Sequence, residues 1–119
     1  MKLFNTIILL AFATAVFAAD KFFVDYSSYK TMEDSITRTD IYISVPVANL
    51  KFEDNESIFS VKVFIYDGNK LVAEDRWKQK YTIDDPAAKF SGAEIPAISK
   101  TALSPGYYGL KVEVKDLKA

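Results

Sequence analysis

Histidine and cysteine are both absent from this chain of 119 residues, which removes thiol nucleophiles, serine–histidine triads and the usual zinc and copper ligand sets. Carboxylates, hydroxyls and lysines remain for any chemistry. Glu53, Asp54 and Glu56 around Asn55 offer oxygen ligands to a calcium ion, but they lack the alternating ligand spacing and central glycine of an EF-hand loop. A solvated turn is their expected use. Asp84 and Asp85 point to opposite sides of an extended chain, and an aspartate before Pro86 is ordinary turn chemistry. A glycosidase pair is defined by separation in space rather than by adjacency. Gly106 and Gly109 follow a turn and enter a strand, without the helix that a phosphate-binding loop requires. Asn55-Glu56-Ser57 matches the glycosylation sequon, a pattern short enough to arise by chance. No catalytic residue, cofactor or metal site is expected, and the chain reads as a non-enzyme.

The N-terminus carries a different kind of information. Lys2 precedes an uncharged, largely apolar run from Leu3 to Phe17, and small residues stand before the first acid, Asp20. That is the order of a secretory signal peptide. Cleavage after Ala18 leaves Val16 and Ala18 at the small-residue positions, whereas cleavage after Ala19 puts bulky Phe17 there. Ala18 is the preferred site. The apolar run is shorter than the roughly 20 residues that span a bilayer, so no membrane association is expected after cleavage. The two expected regions are therefore residues 1–18, a signal peptide whose apolar run is helical, and residues 19–119, one domain.

With Lys2 removed, 14 of the 15 basic residues face 16 acids, a net charge of about −2 with the signs interspersed. Nucleic acid is not an expected partner. Without cysteine, neither disulfides nor a lipidated cysteine can secure the domain. A secreted domain of this size held by packing alone points to a bacterial periplasmic or extracellular protein.

The elements that would position any site are strands, because apolar residues recur with period two and β-branched and aromatic types dominate. The first strand is expected near Lys21 to Tyr29, with Phe22, Val24 and Tyr26 on one face, and Lys30 to Ser35 forms a loop. Thr37 to Val45 alternates Ile41, Ile43 and Val45 with Arg38, Asp40, Tyr42 and Ser44. Pro46 ends this pairing or puts it on an edge. The chain then stays extended from Val47 through Leu50 and Phe52 and turns at the acidic cluster. Ile58 to Tyr66 and Leu71 to Tyr81 flank Asp67-Gly68, a hairpin signal because both residues tolerate positive φ. The second arm is expected to be bulged or partly exposed, since Leu71, Ala73 and Trp77 share their face with Asp75.

After Asp84-Asp85-Pro86, Ala87 to Gly92 reads as an irregular helical turn and Ala93 to Ile98 as a short edge strand containing Pro96. The turn Leu103-Ser104-Pro105-Gly106 leads into a strand from Tyr107 to Val114. The pattern across Leu103, Pro105, Gly106 and Tyr108 is that of a tyrosine corner, in which a buried hydroxyl bonds back to upstream backbone.

About six strands without a long helix favour an antiparallel immunoglobulin-like sandwich over a small barrel. In such a sandwich the tyrosine corner opens the penultimate strand, so the expected fold lacks its last one. A fragment of a longer protein, a complete six-stranded domain and a partner that donates the strand all fit that pattern.

Several stretches resemble the N-terminal β-domain of secreted bacterial GWxTD-domain proteins. They are Phe23-Val24-Asp25, Ile41 to Pro46 running on to Leu50-Lys51-Phe52, Leu71-Val72-Ala73 before Trp77, and Leu103 to Tyr108 leading to Val114-Lys115-Asp116-Leu117. The Gly-Trp-x-Thr-Asp motif itself is absent, and no functional residue carries over. The resemblance implies the N-terminal part of a longer protein that continues into another strand.

The expected function is that of an exported interaction domain binding a protein through an open sheet edge or exposed aromatics. Phe22, Phe23, Tyr26, Tyr42, Phe64, Tyr66, Trp77, Tyr81 and Tyr107 could stack on a ligand, although alternation assigns most of them to packing. A small extracytoplasmic protease inhibitor presenting Lys30 to Ser35 or Asp84 to Gly92 is the first alternative. A strand-complemented assembly or adhesin subunit is the second.

Overall fold

The computed structural model describes residues 22–29 and 36–119 in full, and residues 8–15 and 30 through their backbone. Residues 1–7, with the proposed cleavage site at Ala18 and Ala19 and the loop 31–35, lie outside the described residues. The chain is all-β. Six antiparallel strands form two three-stranded sheets that face each other and remain open. One sheet has the order β2 (Phe23–Lys30), β3 (Thr37–Pro46), β6 (Glu94–Leu103), and the other β7 (Tyr107–Asp116), β4 (Glu56–Asp67), β5 (Lys70–Thr82). A further backbone segment, β1 (Ile8–Ala15), runs parallel to β7, from Ile8 opposite Tyr107 to Ala15 opposite Val114.

The period-two pattern explains why β3, β4 and β7 hold the core. Ile41, Ile43 and Val45 from β3 meet Phe59, Val61, Val63 and Ile65 from β4 and Leu110, Val112 and Val114 from β7, all buried. Each such side chain contributes about 1.5–3 kcal/mol relative to exposure. The central strands β3 and β4 are paired on both sides, so their alternation is the cleanest. Pro46 is the last residue of central β3, so it terminates pairing rather than marking an edge.

Four expectations are corrected. The helix expected in the leader is not found over Ile8–Ala15, whose backbone is extended; beside it β7 offers a row of backbone groups that only a strand can pair. The extended run expected from Val47 through Phe52 is broken by a 3-10 turn over Val47–Asn49, closed by Leu50 N–H to the Val47 carbonyl at 3.1 Å. Buried Val47 also donates its N–H to Ala93 O at 3.0 Å, which fixes this crossover between the sheets. The short strand expected from Ala93 to Ile98 is the full-length β6. Its second half was hidden because Ser99 and Thr101 occupy inward positions, opposite Ile41 and Thr39 on β3. Finally, the hairpin turn is Gly68-Asn69, with Gly68 at φ +63° and Asp67 already paired with Lys70.

β5 is an edge strand, and its inward row is only half-buried at Ala73, Trp77 and Tyr81. Ile65 stands opposite Ala73 but Tyr66 opposite Leu71, leaving Val72 as the extra residue of a bulge.

Candidate functional site

The acidic cluster is a tight turn. Asp54 and Asn55 adopt φ of 53° and 62°, and Glu53 and Glu56 bond backbone to backbone across them at 2.9 and 3.0 Å. Their side chains part company: Glu53 lies 3.6 Å from Lys118, and Glu56 lies 3.5 Å from Lys80. Among the described residues no three acidic side chains gather in a way that could hold a metal ion. Asp85 accepts a hydrogen bond from Ala87 N–H at 3.0 Å and so caps the 3-10 turn Pro86–Phe90, while Asp84 is exposed beside it.

Tyr108 is buried, and its hydroxyl donates to the Ser104 carbonyl at 2.5 Å. Leu103 is buried next to it, and Pro105 and Gly106 are half-buried. A Cβ on Gly106 would touch the Tyr108 ring at 3.5 Å, an ordinary contact, so the glycine accommodates the ring closely without a positive φ. Burial first, then the Asp67 charge, raises the Tyr108 phenol above its ordinary 10.0. The fold therefore favours the protonated phenol. That stability is present below about pH 10 and is lost as pH rises through the raised folded value. Tyr108→Phe is expected to cost about 1 kcal/mol at neutral pH. It should also flatten the alkaline decline in thermal unfolding temperature; an unchanged alkaline limb would refute the linkage.

The aromatic residues divide among three places. Phe22, Tyr26, Trp77 and Tyr81 pack against the core, and Phe64 and Tyr66 are half-buried on the outer face of β4. Phe23, Tyr42 and Tyr107 are exposed. Phe23 and Tyr42 share a shallow groove with Pro96 and Ile98 on the outer face of β2-β3-β6. There the Tyr42 hydroxyl donates to Asp40 at 3.4 Å, and slight burial, then the Asp40 carboxylate, holds its phenol above the ordinary 10.0.

The sheet edges differ most. A bare edge is a template for another strand, and proteins blunt it with prolines, bulges, inward charges or covering groups. β5 carries the Val72 bulge and inward-row Asp75, whose carboxylate accepts from Ser99 Oγ at 2.8 Å. β6 has Pro96, which lacks an N–H, and its carbonyl already accepts from Gln79 Nε2 at 3.0 Å. On β2 the Asp25 carboxylate accepts from Tyr26 N–H at 2.8 Å, so a side chain occupies a donor that an incoming strand would need.

β7 carries neither proline nor bulge; its one inward charge, buried Asp116, stands at the end of the strand, and its far side is paired by Ile8–Ala15. From Gly109 to Asp116 its register with β4 is continuous, and its inward residues Tyr108, Leu110, Val112 and Val114 are all apolar or aromatic. Lys111 leans toward β4: its Nζ lies 5.8 Å from the Phe64 ring centroid and 3.1 Å from Glu113. That leaves the other side of β7 to Ile8–Ala15. Sequence reasoning raised an open edge without locating it. Pro96 and inward Asp75 were the legible signals; the roles of Asp25 and Gln79 were not.

No protein family, no curated protein and no solved structure matches the chain.

Proposed function

We propose that this chain is an exported, non-enzymatic immunoglobulin-like interaction domain that engages a protein strand along β7. The single observation that carries this reading is that β7, unlike the β2, β5 and β6 edges, accepts a strand along its far side, the segment Ile8–Ala15. The strand order β2-β3-β6 over β7-β4-β5, with the Tyr108 corner opening β7, supports the immunoglobulin-like assignment; in that fold another strand lies beyond β7. The charge and apolar order of residues 1–20 supports export, to the periplasm or the medium of a bacterium. Cleavage after Ala18 would remove Ile8–Ala15 and uncover the edge. The resemblance to GWxTD-type proteins supplies one source for the replacement strand, a continuation of the same polypeptide beyond Ala119. A donated strand from another subunit would fill the same slot.

Hydrogen exchange tests this directly. The chain is exported from a bacterial host, its N-terminus is sequenced, and β7 amides are compared with those of the unprocessed chain. The expected result is an N-terminus at Ala19 and faster exchange at those β7 amides that do not bond to β4. Equal protection in the processed chain alone would sink the edge reading. An N-terminus at Met1 would sink the export reading.

The protease-inhibitor reading draws support from Phe90, which is 85% exposed in the loop Asp84 to Gly92. The loop backbone there is helical rather than extended, and an extended backbone is what adds to a partner's sheet edge. Undiminished activity of a panel of secreted proteases would remove it.

A further inference from the structure

We infer that the outer face of β7-β4-β5, at the side away from the β7 edge, binds a linear acidic polysaccharide along the file Arg76, Lys78 and Lys80 with Lys62 beside it. Interspersed charges in the sequence become segregated in the fold, because alternate residues of a strand share a face. On this face Lys62, Arg76, Lys78, Lys80, Lys111 and Lys115 outnumber Glu56, Glu74 and Glu113, although the whole chain has a net charge of −1. The outer face of β2-β3-β6 carries Asp25, Asp40 and Glu94 against Arg38 and Lys100, so a polyanion has one face to prefer.

The geometry suits a chain rather than a single ion. Arg76, Lys78 and Lys80 follow one another at every second residue of β5, about 7 Å apart, and Lys62 is the cross-strand partner of Arg76. Lys78 stands opposite Ser60, a short half-buried residue whose hydroxyl can donate to an anionic group seated among the longer side chains. Among the described residues Lys62 and Lys78 pair with no acid. Arg76 meets Glu74, and Lys80 meets Glu56 at 3.5 Å; both cations are 62% exposed. Exposed pairs of this kind are worth little and exchange readily for another anion.

The surroundings argue against the other polyanions. No exposed large apolar side chain lies between Arg76 and Lys80 to enter a bilayer, and no exposed ring stands in the file to stack a base. Polysaccharide is also what an exported chain would meet, and that clause alone rests on the proposed export.

Calorimetric titration of the full chain with dextran sulfate tests the inference, with uncharged dextran and phosphatidylglycerol vesicles as comparison arms. The expected result is binding to dextran sulfate alone, weakening roughly a hundredfold between 50 and 200 mM salt if about four cations are engaged. Lys62→Gln with Lys78→Gln should weaken it about 20-fold at low salt and reduce the salt slope by about two. Arg38→Gln with Lys100→Gln, on the opposite face, should leave it within twofold. Lys62 is half-buried and Lys78, Arg38 and Lys100 are exposed, and unchanged thermal unfolding verifies that both variants fold. No binding at 50 mM salt, stronger binding to vesicles, or equal losses from the two double variants would each overturn the inference. None of these readouts depends on export or on the β7 edge.

Discussion

Replacing Phe59 by alanine is expected to remove about 3–5 kcal/mol of unfolding free energy. Phe59 is the largest side chain with no exposure at all, and it sits in β4, the central strand of its sheet. It stands opposite Gln79 on β5 and Asp116 on β7, so both neighbouring strands and the facing sheet would border the cavity. A strand hydrogen-bonded on both sides cannot move in to close a void, which places the cost toward the upper part of that range. Domains of this size hold only about 5–15 kcal/mol, so the variant should unfold at markedly lower urea concentration or fail to accumulate. Phe59→Leu keeps most of the volume and should cost roughly half as much. Leu71→Ala, on exposed β5, should change stability by about 0.5 kcal/mol or less. Comparable midpoints for Phe59→Ala and Leu71→Ala in urea titration would contradict this account of the core.

What could be read from the sequence depended on whether local pattern and burial coincided. β3 and β4 were legible because each is paired on both sides and presents one apolar row. The faces of β2 were legible too, with Val24 and Tyr26 half-buried and Phe23 exposed. The second half of β6 was not, because Ser99 and Thr101 take core-facing places in a region where Ser28 and Thr39 hydroxyls already meet at 3.1 Å. An inward polar row erases the hydrophobic alternation on which strand reading rests. The acidic cluster was recognisable as a turn, yet its tight two-residue geometry depends on Asp54 and Asn55 both accepting positive φ.

The candidate site was legible only as a topological expectation. The number of strands and the tyrosine corner raised a missing neighbour for β7. The protection of the other edges depends on contacts such as Gln79 with Pro96 and Asp75 with Ser99, between strands of different sheets. Such pairs carry no local signature. The cationic face was equally hidden, because Lys62 and Arg76 become neighbours only through the β4–β5 register. Together these contacts tie the β5 and β6 edges to each other across the two sheets.

Asp116→Ala is expected to cost about 2–4 kcal/mol, an effect near that of a core truncation although the residue is polar. Asp116 is 3% exposed at the end of β7. One carboxylate oxygen accepts from Lys51 N–H at 2.7 Å and the other from Lys118 N–H at 2.9 Å. The first of these bonds joins residues 65 apart and ties the crossover after β3 to the last strand. Hydrogen bonds to a charged acceptor are worth about 1.5–3 kcal/mol each; the exposed Lys51 and partly exposed Lys118 can recover part of that from water. Asparagine offers one acceptor oxygen and turns an N–H donor toward the other amide, so Asp116→Asn should recover only about half of the loss. For a domain of about 100 residues the alanine variant should melt roughly 10–20 °C lower. Its amides at the C-terminal end of β7 should exchange faster than those near Tyr108, since that end would then rest on its backbone pairing with β4 and on Leu117 N–H to Ile58 O at 2.8 Å. A melting temperature within about 2 °C of the parent chain would show that the carboxylate is dispensable. In that case β7 would be positioned by its apolar row and its pairing with β4, and would keep its register without the anchor at Lys51.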